Sequence, residues 1–164
     1  MKKLAFLLAA FLSVFAMACG GSSDSDDSET LSQADAVAKG DEACLTASED
    51  LDKVTQEYSE ALKDFDLQTA GDQLDEMIAV SKSRNEALAA IQVDGDTQES
   101  LDEYVEINDE SIDRMEDMAS ALADKDIEGV TNATKEIATL NVEGQAAASD
   151  FGFESCGTGV AAAS

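Results

Sequence analysis

From Cys44 onward, apolar side chains recur at Cys44, Ala47, Leu51, Val54, Tyr58, Ala61 and Phe65. The spacing alternates between three and four residues, which places all seven on one face of a helix. A second stripe runs through Leu67, Ala70, Leu74, Met77 with Ile78, Ser81, Leu88 and Ile91, and it thins around Arg84 and Asn85. The turn sequence "VDGD" comes next, and Asp96 with Glu99 three positions later reads as a capping box opening a third helix. That helix carries Leu101, Tyr104 with Val105, Asn108, Ile112, Met115, Met118 with Ala119, and Leu122. The fourth stripe comprises Ile127, Val130, Thr134, Ile137, Leu140 with Asn141, Gly144, Ala148 and Phe151, and Gly152 supplies a C-terminal stop. A short lead-in from Ser32 to Lys39, broken at Gly40, precedes the first helix. Strand-type alternation is essentially missing. Helices this long joined by short loops favour antiparallel neighbours, so the expected fold is all-α, an up-down-up-down four-helix bundle over residues 31–157.

The hairpins echo one another. "ALKDFDLQTAGDQLDEM" (Ala61 to Met77) aligns with "ALADKDIEGVTNATKEI" (Ala121 to Ile137), with Ala, Leu, Asp, Asp and Glu coinciding at 61/121, 62/122, 64/124, 66/126 and 76/136. Hairpin duplication explains the echo, and so does shared helical patterning. Either origin predicts the same architecture.

Ahead of the bundle, Lys2 and Lys3 introduce an uncharged run from Leu4 to Ala18. The run is too short to cross a ~30 Å hydrocarbon core comfortably and has the form of a secretion signal. Its end, Ala16-Met17-Ala18-Cys19, resembles the lipobox of bacterial lipoproteins, with Ala16 where the motif's most common form has Leu. The resemblance implies diacylglycerol on the sulfur of Cys19, removal of residues 1–18, and anchorage on the outer face of the cytoplasmic membrane. Two acyl chains suffice for stable anchoring, whereas one gives only marginal binding. An ordinary secretion signal cut elsewhere and a retained membrane helix are the alternatives. Residues 19–30, with four acidic side chains and no large apolar one after the cysteine, read as a flexible tether. Residues 158–164 read as a flexible tail.

Charge narrows the partners. The chain has 36 acidic and 10 basic residues, a net charge of −26, and loss of residues 1–18 would make it two units more negative. Nucleic acid is excluded as a default partner, because its recognition relies on basic patches. Anionic lipid headgroups are repelled as well. The acid is spread along the chain, as for a solvated surface suited to salty surroundings, although cation binding or a basic partner would use it too.

If Cys19 carries lipid, Cys44 and Cys156 remain and can pair in one way. In an up-down-up-down bundle the start of the first helix and the end of the fourth lie at the same end. The topology therefore permits the Cα separation of roughly 4.4–6.8 Å that a disulfide needs; two free thiols are the alternative. The segment from Cys44 to Gly157 also resembles small secreted helical lipoproteins found in actinobacteria, on the strength of Phe151, Gly152, Phe153, Cys156 and Gly157 after the last helix. That resemblance implies the bundle and the disulfide and assigns no activity.

Catalytic chemistry is poorly provided for. The chain has no histidine, no GxSxG, no phosphate-cradling glycine loop and no CxxC. Di-metal bundles use Glu-x-x-His, which is lacking. Asp124/Asp126 and Asp113/Asp117 are paired carboxylates of the kind that line helix surfaces. "DKDIEGVTNATK" (Asp124 to Lys135) begins like a calcium loop, with Asp124, Asp126, Glu128 and Gly129 in place, but Lys135 stands where the bidentate Glu belongs. A helix–helix turn capped by Asp126 is the favoured reading, and no metal or cofactor is expected. Ser48, Ser81, Asn108 and Asn141 fall at similar heights in their helices and form a candidate polar layer, either a register device or the lining of a small pocket. The expectation is a non-enzymatic, lipid-anchored interaction module meeting a basic protein or a cell-wall partner. A bundle binding a small ligand or cation through the polar layer is the alternative.

Overall fold

The computed structural model describes residues 30–156. The expected leader, Cys19, most of the tether and the tail lie outside the described residues. Four helices occur in the order α1 (Gln33–Lys63), α2 (Leu67–Ala89), α3 (Asp96–Ala123) and α4 (Ile127–Phe151). Among the described residues, extended pairing is limited to one parallel bridge between Leu31 and Val93. The architecture is an up-down-up-down four-helix bundle closed by one disulfide. α1 packs on α2, α2 on α3 and α3 on α4, with little close backbone approach between α1 and α4.

Helix boundaries are set by capping chemistry. Ser32 accepts from the Asp35 N–H at 3.2 Å and opens α1. α1 runs unbroken through Gly40, where a break is expected from the sequence. The glycine serves packing: a Cβ on Gly40 would overlap Cε1 of Phe153 and lie 2.7 Å from Cζ, so the absent side chain is the space the ring occupies. At α3 the expected capping box does not form. Gly95, at φ +56, is the N-cap and Asp96 is already helical. Asp96 and Glu99 sit in the first turn, where carboxylates favour the positive end of the helix dipole. The loop is held instead by Gln98, whose Oε1 accepts from the Val93 N–H at 2.9 Å.

The turns joining α1 to α2 and α3 to α4 are copies in backbone terms. Asp64 and Asp124 cap the ending helix. Phe65 and Lys125 come next at φ 57 and 58. Asp66 and Asp126 then cap the next helix by accepting from Thr69 N–H at 3.1 Å and Gly129 N–H at 3.0 Å. The Asp66 and Asp126 N–H groups donate back to Ala61 and Ala121 carbonyls at 2.9 and 2.8 Å. The sequence echo is thus a structural one. Phe65, expected on the buried face of the first helix, stands outside it at 87% exposure, because the helix ends at Lys63 and the left-handed residue turns the chain outward.

Three groups of buried side chains fill the bundle from end to end. At the end holding the chain's approach to α1 and the α2–α3 loop, Ala36, Leu88, Ile91, Leu101, Tyr104, Ala148, Phe151 and Phe153 surround the disulfide. Leu51, Val54, Leu74, Ile78, Ile112 and Ala133 occupy the middle. Ala61, Ala70 and Leu122 close the hairpin end, which shows that both hairpin turns lie there together.

α1 and α4 are joined by the short segment beyond Phe151. Gly152, at φ +107, ends the helix with its N–H on the Ala148 carbonyl, and Phe153 N–H shares that acceptor. The chain then turns across α1. Phe153 covers Gly40, and the Asp41 carboxylate accepts from the Glu154 and Ser155 N–H groups, the latter at 2.7 Å. Cys156 bonds Cys44 with Cα atoms 5.0 Å apart. Gln33 Nε2 donates to the Phe151 carbonyl at 2.9 Å and Tyr104 Oη to the Cys156 carbonyl at 3.2 Å. This clasp compensates for the sparse direct packing of the outer pair.

Candidate functional site

The expected polar layer is only partly assembled. Ser81 and Asn108 are buried. Ser48 is half-buried and donates to the Leu45 carbonyl of its own helix at 2.9 Å. Asn141 is exposed. Equal height along two helices does not give equal rotation: each residue advances about 100°, and α4 turns Gly144, Ala147 and Ala148 inward, which carries Asn141 outward.

The buried polar group that does exist joins α2 to α3, and two of its members come from the thin part of the second stripe. Arg84 Nη2 donates to Asn108 Oδ1 at 3.0 Å, and Asn108 Nδ2 donates to the Tyr104 carbonyl at 2.8 Å. Asn85 Nδ2 donates both to the Val105 carbonyl at 3.1 Å and to Asp109 Oδ1 at 2.7 Å. Arg84 Nε and Asn85 Oδ1 are buried without a partner. Buried amides are costly unless paired, so the three bonds that cross from Arg84 and Asn85 to α3 favour one sliding register of α2 against α3. The interruption of the apolar stripe at Arg84 and Asn85 is the sequence signal for this group. Outside it, Lys82 and Glu116 join the same helices at 2.6 Å with both side chains about half exposed. The Glu116 hydrogen bond raises the Lys82 ammonium pKa above its ordinary value.

The calcium-like string forms the α3–α4 turn. Asp126 uses a carboxylate oxygen on the Gly129 N–H, and a Cβ at Gly129 would meet Asp126 Oδ2 at 2.6 Å, so this glycine lets the cap close. A cleft of about 340 Å³ lies beside the turn, lined by Arg114, Asp117, Asp124, Asn132 and Glu136 among others. Arg114 is bonded there to Asp117 and, through Nε, to Glu136 at 3.5 Å. Among the described residues no three His, Cys, Asp or Glu side chains are arranged to hold a metal ion.

The surface is the remaining candidate. Exposed carboxylates cover all four helices. The hairpin end differs in gathering several exposed apolar side chains among them, namely Phe65, Ile127, Leu62 and Leu67. Beside them, Asp66 is held below the usual carboxylate range, first by the Thr69 N–H and then by the Thr69 hydroxyl at 2.8 Å. No described helix is long and apolar enough to cross a membrane. No protein-family model, curated protein or solved structure matches the chain.

Proposed function

We propose that the chain is a lipid-anchored surface protein, attached through Cys19, that works without catalysis as an interaction module whose acidic helical faces meet a basic protein or a cell-wall component. The observation that supports this best is the distribution of charge on the bundle. Carboxylates are spread over exposed faces of every helix, with 36 acidic against 10 basic residues in the chain. Such a surface attracts cationic partners over a distance set by the Debye length, roughly 8–10 Å at ordinary ionic strength.

Placement of the ends fits display from a membrane. Leu31 N–H donates to the Gln92 carbonyl at 2.7 Å, so the chain reaches α1 beside the α2–α3 loop at the disulfide end. With the anchor at Cys19, the disulfide end is the tethered end of the bundle and the hairpin end the free one.

Attachment to purified cell wall and to a basic model protein, measured across a salt series, tests the reading. Retention at low salt that collapses as salt rises is the expected result; no retention at low salt refutes it. Replacing Cys19 with Ser should move the protein from the membrane fraction to the medium. A small-ligand reading draws on one observation, the unpartnered Arg84 Nε and Asn85 Oδ1. It predicts salt-insensitive binding of a small polar molecule, detectable by native mass spectrometry.

A further inference from the structure

The hairpin end combines an unfavourable backbone, an exposed aromatic ring and a concentrated charge. Among the described residues, four of the six large apolar side chains left exposed lie in or next to the two hairpin turns: Leu62, Phe65, Leu67 and Ile127. A bulky residue at positive φ is an outlier that the backbone resists. Phe65 is one at φ 57, and the residue is 87% exposed, so the fold gains almost no burial in return. Nor does the turn require Phe. The sister turn makes the same hydrogen bonds at φ 58 with Lys125 in that place. The turn accounts for the positive φ but not for a large apolar ring left in water there, and that choice of residue points to a use outside the chain.

The neighbouring charges indicate what meets it. Glu60, Asp64, Asp66, Asp124, Asp126 and Glu128 are all exposed around the two turns, against Lys63 and Lys125. A second copy presenting the same end, and an anionic membrane, are both repelled. An apolar socket with a cationic rim is the complementary surface.

We infer that the hairpin end is a protein-docking face, with Phe65 inserting into an apolar socket rimmed by Lys or Arg on a basic partner protein, and Leu62, Leu67 and Ile127 packing around its mouth. This rests on the proposed function, since it says where on the acidic bundle the basic partner sits. A large aromatic anchor encircled by polar contacts is a common form for an interaction hot spot.

The test uses the full-length chain in phosphatidylcholine nanodiscs, with empty discs as the blank. Fluorescence anisotropy follows two labelled peptides of roughly 18 residues, long enough to form a helix. One is an amphipathic Leu/Lys sequence and the other a Ser/Lys sequence of equal charge. Tighter binding of the Leu/Lys peptide by about tenfold is expected, with the preference abolished by Phe65→Asn, which leaves charge unaltered and tolerates positive φ. Val142→Asn, at an exposed apolar site about 22 Å along α4 from Ile127 at the usual helical rise, should preserve the preference. If Phe65→Asn binds the Leu/Lys peptide as tightly as the unaltered chain, the docking face is wrong while the charge-driven reading stands. If neither peptide binds at low salt, both fail. Dimerisation of the chain through residue 65, seen by analytical ultracentrifugation, assigns the face to a second copy and overturns the proposal.

Discussion

Gly40→Ala isolates the packing of the clasp, because intrinsic helix propensity and tertiary packing predict opposite signs. Ala is favoured over Gly inside a helix by about 1 kcal/mol, so at an open position the substitution would stabilise α1. At Gly40 the new Cβ would overlap Phe153 Cε1 and lie 2.7 Å from Cζ. The ring has little room to yield. Phe153 is buried, its centroid is 4.5 Å from Phe151 and 5.5 Å from Tyr104, and the next residues are fixed by Asp41 and the disulfide. Overpacking of a filled core costs about 1–3 kcal/mol. Set against the propensity gain, a net change between zero and about 2 kcal/mol of destabilisation is expected in equilibrium urea unfolding with the disulfide intact. Phe153→Ala alone should cost about 3–5 kcal/mol. In that background Gly40→Ala should become neutral or stabilising by up to about 1 kcal/mol. Stabilisation by Gly40→Ala in the otherwise unaltered chain would refute the claim that the ring requires the glycine.

Phe65→Asn should raise stability by about 0.5–1 kcal/mol by relieving positive φ at an exposed site, read from the urea midpoint; a comparable loss would mean that the ring packs within the fold. Asn108→Ala should cost about 1–3 kcal/mol by leaving Arg84 Nη2 without its acceptor, whereas Asn141→Ala should stay within about 0.5 kcal/mol of unaltered. Reduction of Cys44–Cys156 should remove about 4–5 kcal/mol on the chain-entropy treatment for a separation of 112 residues, measured by unfolding with and without reductant. The Asp66 cap should be pH-dependent. Its folded pKa is depressed by the Thr69 donors, so its contribution is present above the unfolded value, about 3.9, and is lost as pH falls through the lower folded value. Asp66→Ala should therefore destabilise at neutral pH, and its difference from the unaltered chain should shrink in strong acid.

The helical stripes make the bundle legible, since their period survives every local irregularity. Local rules fail where tertiary contacts set the outcome. A glycine in a helical pattern signals a break only if nothing occupies the space above it, and Phe153, far away in sequence, occupies that space at Gly40. Phe65 continues the three-four spacing of the first stripe, but Asp66 caps the next helix; that short "DFD" parallels "DKD" of the sister turn and is the signal that the helix has already ended. Asn141 matches Asn108 in height, while its exposure depends on the rotation of α4, which buries Ala147 and Ala148 and sets Gly144 against Tyr104 and Ile107 of α3. Arg84 and Asn85 are visible in the sequence only as a gap in the stripe. Their partners lie on another helix, and a single sequence does not give the register between helices.

Whether the chain is a lipoprotein clasped across its outer helices is decided by intact-mass analysis and peptide mapping of protein extracted under oxidising conditions from its own membrane. The expected result is a first peptide beginning at a diacylated Cys19, together with Cys44 and Cys156 recovered as one cross-linked pair. Leader residues still attached to an unmodified Cys19, or Cys44 and Cys156 recovered as separate thiols, would be incompatible with that picture.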